Sequence, residues 1–329
     1  MKMVKLHGDA SYRTYFREID DKGQTRIIMQ LPEGKSSASE EITNLNSTPQ
    51  EPPFLNIARY LRNHRIPVPE VLGYDPVKRQ IFLEDLGDDT VEKRVRELSL
   101  EKKAGLYRNA IDLLIDFQAL TQTPDKECIA FQRSFDQTLY QWEFDHFVEY
   151  GIESRSGVKV VAQDRQGITV KTREISRVLS DLPYVLTHRD FQSRNLMLQG
   201  ETLRLIDFQD ALLAPPQYDL VALLRDSYIE LEWSLVEDLI NYYLDRIQGK
   251  IEATQDRGQF KKMFDWLTIQ RKLKDAGRFV YIDRVKKNPS FLKHIPTSLA
   301  YVRQALERQP ELSPLFNVLR KYVPEFQAI

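Results

Sequence analysis

Hydrophobic periodicity changes character near residue 88, and that change limits the chain to folds that join a small sheet to a larger helical body. Before it, YRTYFREI (12–19), TRIIMQL (25–31) and RQIFL (79–83) are short, rich in aromatic and β-branched residues, and bounded by turn formers, as strands are. Between the second and third, Phe54, Ile57, Ala58 and Leu61 recur at helical spacing, and Pro67 and Pro69 end that helix. After it, helical patterns dominate. Tyr107, Ala110, Ile111, Leu114 and Phe117 line one face of 101–120, and 215–248 and 258–282 also predict helices, broken by Pro215, Pro216 and Gly249. The exception is 183–208, where LMLQGETLRLIDF places two apolar-alternating arms around a Gly-Glu turn and predicts a hairpin. The expected fold is α+β, with a small antiparallel-sheet lobe over residues 1–87 and a larger, mainly helical lobe over 88–329.

The 329 residues are 42% hydrophobic and 29% charged, as in ordinary globular proteins. With 47 basic against 48 acidic residues the net charge is −1, which argues against nucleic acid as a partner. No apolar run approaches the ~18 residues of a membrane span, and the start carries no secretory signal pattern. Cys128 is the single cysteine, so an internal disulfide is excluded and a cytoplasmic location is expected. His7, His64, His146 and His294 show no metal-ligand spacing.

The chemistry is concentrated in 188–208. Phosphoryl transfer needs a carboxylate to orient a hydroxyl and accept its proton, and oxygen ligands for the Mg²⁺ that accompanies a triphosphate. His188-Arg189-Asp190, four intervening residues to Asn195, a short hairpin and then Asp207-Phe208 deliver those parts in order. Asp190 is expected to face the acceptor hydroxyl, and Asn195 and Asp207 to hold Mg²⁺ from opposite sides of the hairpin. Mg²⁺ keeps several waters, so one carboxylate and one amide oxygen suffice when ATP supplies the rest.

On this run the chain resembles the aminoglycoside phosphotransferase and choline kinase superfamily, which implies the bilobal protein-kinase-like fold. Asp207 is followed by Phe-Gln rather than Phe-Gly and no Ala-Pro-Glu occurs, which argues against a protein kinase. GDASYRTYFR, FLEDLGDDT, HRDFQSRN, IDFQDALLAPPQYDLVALLRD and QRKLKDAGRF together look like the bacterial anomeric sugar kinases of cell-wall recycling. That resemblance implies ATP- and Mg²⁺-dependent phosphorylation of the 1-hydroxyl of N-acetylmuramate or N-acetylglucosamine.

The resemblance also implies that Glu84 and Leu86, after the third clear strand, pair through their backbone with adenine. It further implies that the turn carrying Ser11 and Arg13 covers the phosphates. Alignment with the usual kinase strand puts Gln30 where a lysine touches the α- and β-phosphates, a departure that Arg13, Arg26 or the basic region after 246 could offset. Between 246 and 303, fourteen basic residues face five acidic ones. Gln209 and Asp210 follow the metal aspartate directly, and Gln270, Arg271 and Lys274 share roughly one side of a helix, so these five are candidates for the acceptor. A sugar site also wants an aromatic platform, for which Trp142, Trp233 and Trp266 are available. The resemblance also implies that Asp219, at a helix start, braces the catalytic loop.

Two alternatives share these residues. Another small-molecule kinase, acting on an aminoglycoside, choline or homoserine, would differ in the acceptor pocket. A nucleotide-binding pseudokinase scaffold is favoured by Gln30 and disfavoured by the intact Asp190, Asn195 and Asp207.

Overall fold

The computed structural model describes residues 2–6, 13–33, 51–251 and 256–327. Five strands form one antiparallel sheet: β1 (Lys2–Lys5), β2 (Thr14–Ile19), β3 (Thr25–Gln30), β4 (Val71–Asp75) and β5 (Gln80–Glu84), in the order β1-β2-β3-β5-β4. The sequence pattern showed only β2, β3 and β5. β1 is exposed along its whole length and so carries no alternation, and a bulge between Val71 and Gly73 interrupts β4.

Helix α1 (Pro53–Asn63) begins with proline at its first position, where the missing N–H costs nothing. Its Phe54 ring stacks on Phe208 at 4.7 Å, which ties the helix to the segment after the hairpin. Short α2 (Val91–Val95) leads to α3 (Leu100–Ala119), capped by Ser99 and buried along the face of Tyr107, Ile111 and Leu114. α4 (Gln137–His146) is capped by Asp136 and runs on into a π-helical segment, Phe147–Ser154. α5 (Ala162–Ser180) follows.

Strand β6 (Val185–Thr187) pairs with β9 (Leu212–Ala214), and between them β7 (Leu196–Gln199) and β8 (Thr202–Leu205) form the expected hairpin. The expected helix over 215–248 is two, α6 (Gln217–Leu224) and α7 (Trp233–Ile247), and the expected 258–282 extends to α8 (Arg257–Lys286). α9 (Ile295–Glu307) and α10 (Ser313–Leu319) close the chain. α8 is the central rod of the helical lobe and packs on α4, α5, α6 and α9. Gly277 lets α8 meet the end of α4: a Cβ there would lie 2.8 Å from Phe147 Cα and 3.2 Å from His146 O. No helix among the described residues is long and apolar enough to cross a membrane.

Candidate active site

The loop after β6 turns through Arg189 in the left-handed region, φ 77°, a conformation that costs a non-glycine residue energy and needs outside support. Three groups supply it. Asp219, wholly buried at the start of α6, accepts the N–H groups of His188 (2.6 Å) and Arg189 (3.0 Å), in keeping with its expected bracing role. Burial pushes its carboxyl up to about 7, against those two donations that favour the ionised form. Arg271, on α8, donates to the Arg189 carbonyl (2.7 Å) and to Asp190 Oδ1 (3.0 Å). His188 donates through Nε2 to the Ile206 carbonyl (2.9 Å) while its Nδ1 accepts the Asp190 N–H (3.2 Å), which fixes one neutral tautomer. Burial agrees, lowering His188 to about 4.

Burial raises the affinity of Asp190 for a proton, but the charges of Lys274, Arg271 and Arg189 outweigh it and hold the carboxyl below its ordinary value. Asn195 donates through Nδ2 to the Asp190 carbonyl (2.8 Å), which leaves its Oδ1 for another partner. Asp207, after β8, is also left-handed at φ 65°. Gln209 Nε2 bridges Asp207 Oδ1 and Asp210 Oδ2, each at 2.9 Å, and Arg13 faces the same two carboxylates at 3.5 and 3.6 Å. Burial pushes Asp207 up to about 6; Arg13 opposes this, and the charges of Asp190 and Asp210 add to it. A carboxylate so placed, beside a spare amide oxygen, suits a hard divalent cation.

Between the sheet and the hairpin lies a cleft of about 610 Å³. Ile27, Met29, Leu83, Leu86, Met197 and Ile206 give it apolar walls, and the backbone from Glu84 to Asp88 forms its edge. The Leu86 N–H makes no hydrogen bond among the described residues. Arg17 pins this edge by bonding Asp85 (2.6 and 3.0 Å), Asp88 (3.0 Å) and the Gly87 carbonyl (3.2 Å). The Glu84 carboxylate is taken by Arg204, at 2.6 Å.

Gln30, expected at the phosphates, is turned away from the cleft. Alternation along β3 gives Ile27 and Met29 to the cleft and Gln30 to the opposite face. There Gln30 donates to the Lys78 carbonyl (3.0 Å) and accepts from Gln80 (3.0 Å). A one-residue difference in register exchanges the two faces of a strand. Arg26 is also occupied elsewhere, paired with Glu18 and stacked over Phe82. Ser11 lies outside the described residues. Gln30→Lys should therefore leave ATP affinity within about threefold of wild type by calorimetry, and a gain of about tenfold would return this residue to the phosphates.

A second cavity, of about 210 Å³, lies on the other side of the catalytic loop. Asp190 lines it, with Asp210 and Lys274 of the five acceptor candidates. Gln209, Gln270 and Arg271 do not. Gln209 is spent on the two aspartates, Gln270 is buried and donates to Glu143 (2.7 Å), and Arg271 is buried behind Asp190. Gln270, Arg271 and Lys274 of α8 thus face different surroundings, which helical spacing alone does not separate. Of the three tryptophans only Trp142 lines this cavity, stacked on His146 at 5.2 Å. Trp266 is buried, and Trp233 lies between the guanidinium groups of Arg225 and Arg308. Glu143, His146, Arg278, Phe279 and Phe291 were not anticipated. Arg278 had a signal, standing one turn after Lys274.

The two cavities share three lining residues: Arg194, Asn195 and Asp207. A profile described as "Phosphotransferase enzyme family" matches residues 2–258. A protein of Neisseria meningitidis serogroup B named N-acetylmuramate/N-acetylglucosamine kinase is 29% identical over 96% of this chain and 89% of its own. One of the same name from Pseudomonas putida is 30% identical over 96% and 87%. Among solved structures, the ADP-bound aminoglycoside phosphotransferase APH(2'')-Ib superposes with a TM-score of 0.58 at 14% identity, covering 92% of this chain and 93% of that one. The choline kinase LicA of Streptococcus pneumoniae gives 0.61 at 12% identity, over 93% and 92%. These likenesses agree with the two-lobed, kinase-like arrangement of sheet and helices. The chain is an enzyme of the phosphotransferase family.

Proposed function

We propose that the protein transfers the γ-phosphoryl group of ATP to the anomeric hydroxyl of an N-acetylated amino sugar, N-acetylmuramate or N-acetylglucosamine. The observation that carries this is the meeting of two cavities at Asn195 and Asp207, with Asp190 on the smaller side only. Phosphoryl transfer between two bound molecules needs this layout, because the donor and acceptor must meet end to end at a cation. The larger, apolar-walled cleft suits a nucleotide base along Glu84 and Leu86. The smaller cavity, with an aromatic side chain and many polar groups, suits a sugar. The named relatives support the choice of acceptor.

In this reading the lobes divide at residues 87 and 88, beside the pinned edge. Asn195 and Asp207 would hold Mg²⁺, which supplies positive charge to the phosphates. Arg13 lines the smaller cavity and faces Asp207 and Asp210, so it would add positive charge where the two cavities meet. Asp190 orients the acceptor hydroxyl and accepts its proton. A carboxyl held below its ordinary value is a weak base, and a hemiacetal hydroxyl, more acidic than an ordinary alcohol, asks little of it.

The test is ATP consumption with N-acetylmuramate, N-acetylglucosamine, aminoglycosides and choline, with the phosphate position read by phosphorus NMR. Turnover of choline or an aminoglycoside in place of the sugars would sink the acceptor assignment, and no turnover on any of them would favour a scaffold. For the cation, Asp207→Ala should weaken Mg-ATP binding about ten- to hundredfold, since a charged ligand contributes roughly 1.5–3 kcal/mol. Asn195→Ala should weaken it less, as a neutral amide does. Identical Mg²⁺ titrations for wild type and both variants would remove these residues from the metal.

A further inference from the structure

Buried carboxylates at the two ends of α6 hold the loop that runs from His188 to Asn195. Asp219, in the first turn of α6, holds the half that leads into Asp190. Asp226, two residues past the end of the helix, holds the other half. It is wholly buried, and one of its oxygens accepts both the N–H (2.9 Å) and the hydroxyl of Ser193. Its other oxygen accepts the Tyr228 N–H (3.0 Å). Lys272, buried beside Arg271 on α8, donates to Ser227 (3.2 Å) and Asp275 (2.8 Å). Burial favours the neutral form of Asp226; the Lys272 charge and the Ser193 donations oppose it.

Asp226 and Ser193 line neither cavity. The two residues that follow Ser193 are Arg194 and Asn195, which with Asp207 line both. Arg194 stacks over the Tyr228 ring at 3.5 Å and bonds Glu92 (2.8 Å), and the Ser193 carbonyl accepts the Glu92 N–H (3.1 Å) from α2. The carboxylate therefore fixes the backbone on both sides of this stack, at Ser193 and at Tyr228. Three donors converge on it, and a carboxylate has the two oxygens they need. An amide in its place offers one acceptor oxygen, and an alanine offers none, so buried N–H groups lose their acceptor and the loop is free to shift.

We propose that Asp226 is a positioning residue for phosphoryl transfer, which acts through Ser193 to set Asn195 where the two cavities meet. This rests on the reading of Asn195 as a ligand of the cation. Asp226 touches no reactant. Its effect passes along three residues of backbone, so it is felt in cation binding and in the rate of transfer together. Asp219 serves the Asp190 half of the loop, and Asp226 serves the Asn195 half.

The test uses Asp226→Ala, Asp226→Asn, Ser193→Ala and the double variant Asp226→Ala/Ser193→Ala. Two quantities are read: kcat on whichever amino sugar the wild type turns over, and Mg²⁺-dependent ATP binding by calorimetry, which needs no turnover. Asp226→Ala should lower kcat about a hundredfold, as a loop misplaced by about 1 Å does. It should also weaken Mg-ATP binding about three- to tenfold. Asp226→Asn should recover part of both, because it keeps one acceptor. Ser193→Ala should lose less than Asp226→Ala, and the double variant should be no worse than Asp226→Ala, since a Ser193 hydroxyl without its acceptor contributes nothing. Losses that add in the double variant, or Mg-ATP binding equal to wild type in Asp226→Ala, overturn the proposal and leave the cation reading standing. Melting curves identify an Asp226 variant that fails to fold. Ser193→Ala, which removes one hydroxyl and no charge, then decides, and wild-type values of both quantities in it overturn the proposal. A Mg²⁺ titration unchanged in Asn195→Ala overturns the cation reading and the proposal with it.

Discussion

Asp190→Asn should nearly abolish phosphoryl transfer and leave nucleotide binding within a factor of two or so of wild type. Asp190 lines the smaller cavity and not the larger cleft, so under the proposed reading its loss is felt on the acceptor side only. The amide keeps the shape and can still accept from Arg271, but it cannot take the proton of the acceptor hydroxyl. General base contributions of this kind amount to about 10²–10⁴-fold in rate. The measurement is single-turnover transfer together with calorimetric titration of ATP. Retention of more than about a tenth of the wild-type rate would mean that Asp190 is not the base.

Arg271→Met should lower kcat about a hundredfold with little change in KM for ATP. The guanidinium, fully buried, joins the strained Arg189 carbonyl to the Asp190 carboxylate and lies over the Tyr218 ring at 4.8 Å. Methionine fills much of the space and donates nothing, so the loop is free to relax and the carboxylate to turn. Misplacement by about 1 Å is enough for a loss of that size. The Arg189 carbonyl also loses its buried donor, which should cost about 1–3 kcal/mol in stability. Arg271→Lys distinguishes positioning from mere packing. An ammonium can reach one of the two acceptors, so kcat should recover in part although the stacking on Tyr218 is lost. Equal kcat in the Met and Lys variants, with melting temperatures that track it, would make Arg271 a packing residue only. Arg271, Lys274 and Arg278 all lie beyond residue 258, where the family match ends.

Much of this was legible in one dimension. The switch of period near residue 88, the hairpin between Asn195 and Asp207, and the order of Asp190, Asn195 and Asp207 depend on neighbours in sequence. Local chemistry decides them: side-chain alternation, turn residues and a loop too short to rearrange. The bracing role of Asp219 came from the family resemblance, since local pattern offers only an acidic first turn of a helix and the contact joins it to His188 and Arg189.

What the sequence left open depends on contacts between distant segments. Whether Met29 or Gln30 faces the cleft is a question of register, decided by the pairing of β3 with β5, Met29 opposite Ile81 and Gln30 opposite Gln80. Whether Arg271 lines the smaller cavity or bonds Asp190 from behind depends on the rotation of α8, which is fixed where Gly277 meets the backbone of Phe147. That same contact brings Trp142 and His146 to the wall that carries Lys274 and Arg278. A helix has the same sequence pattern at any rotation that buries its apolar face, and α8 is buried nearly all round, so its pattern could not select one. The close approach at one glycine selects it, and with it the residues of α8 that line the smaller cavity.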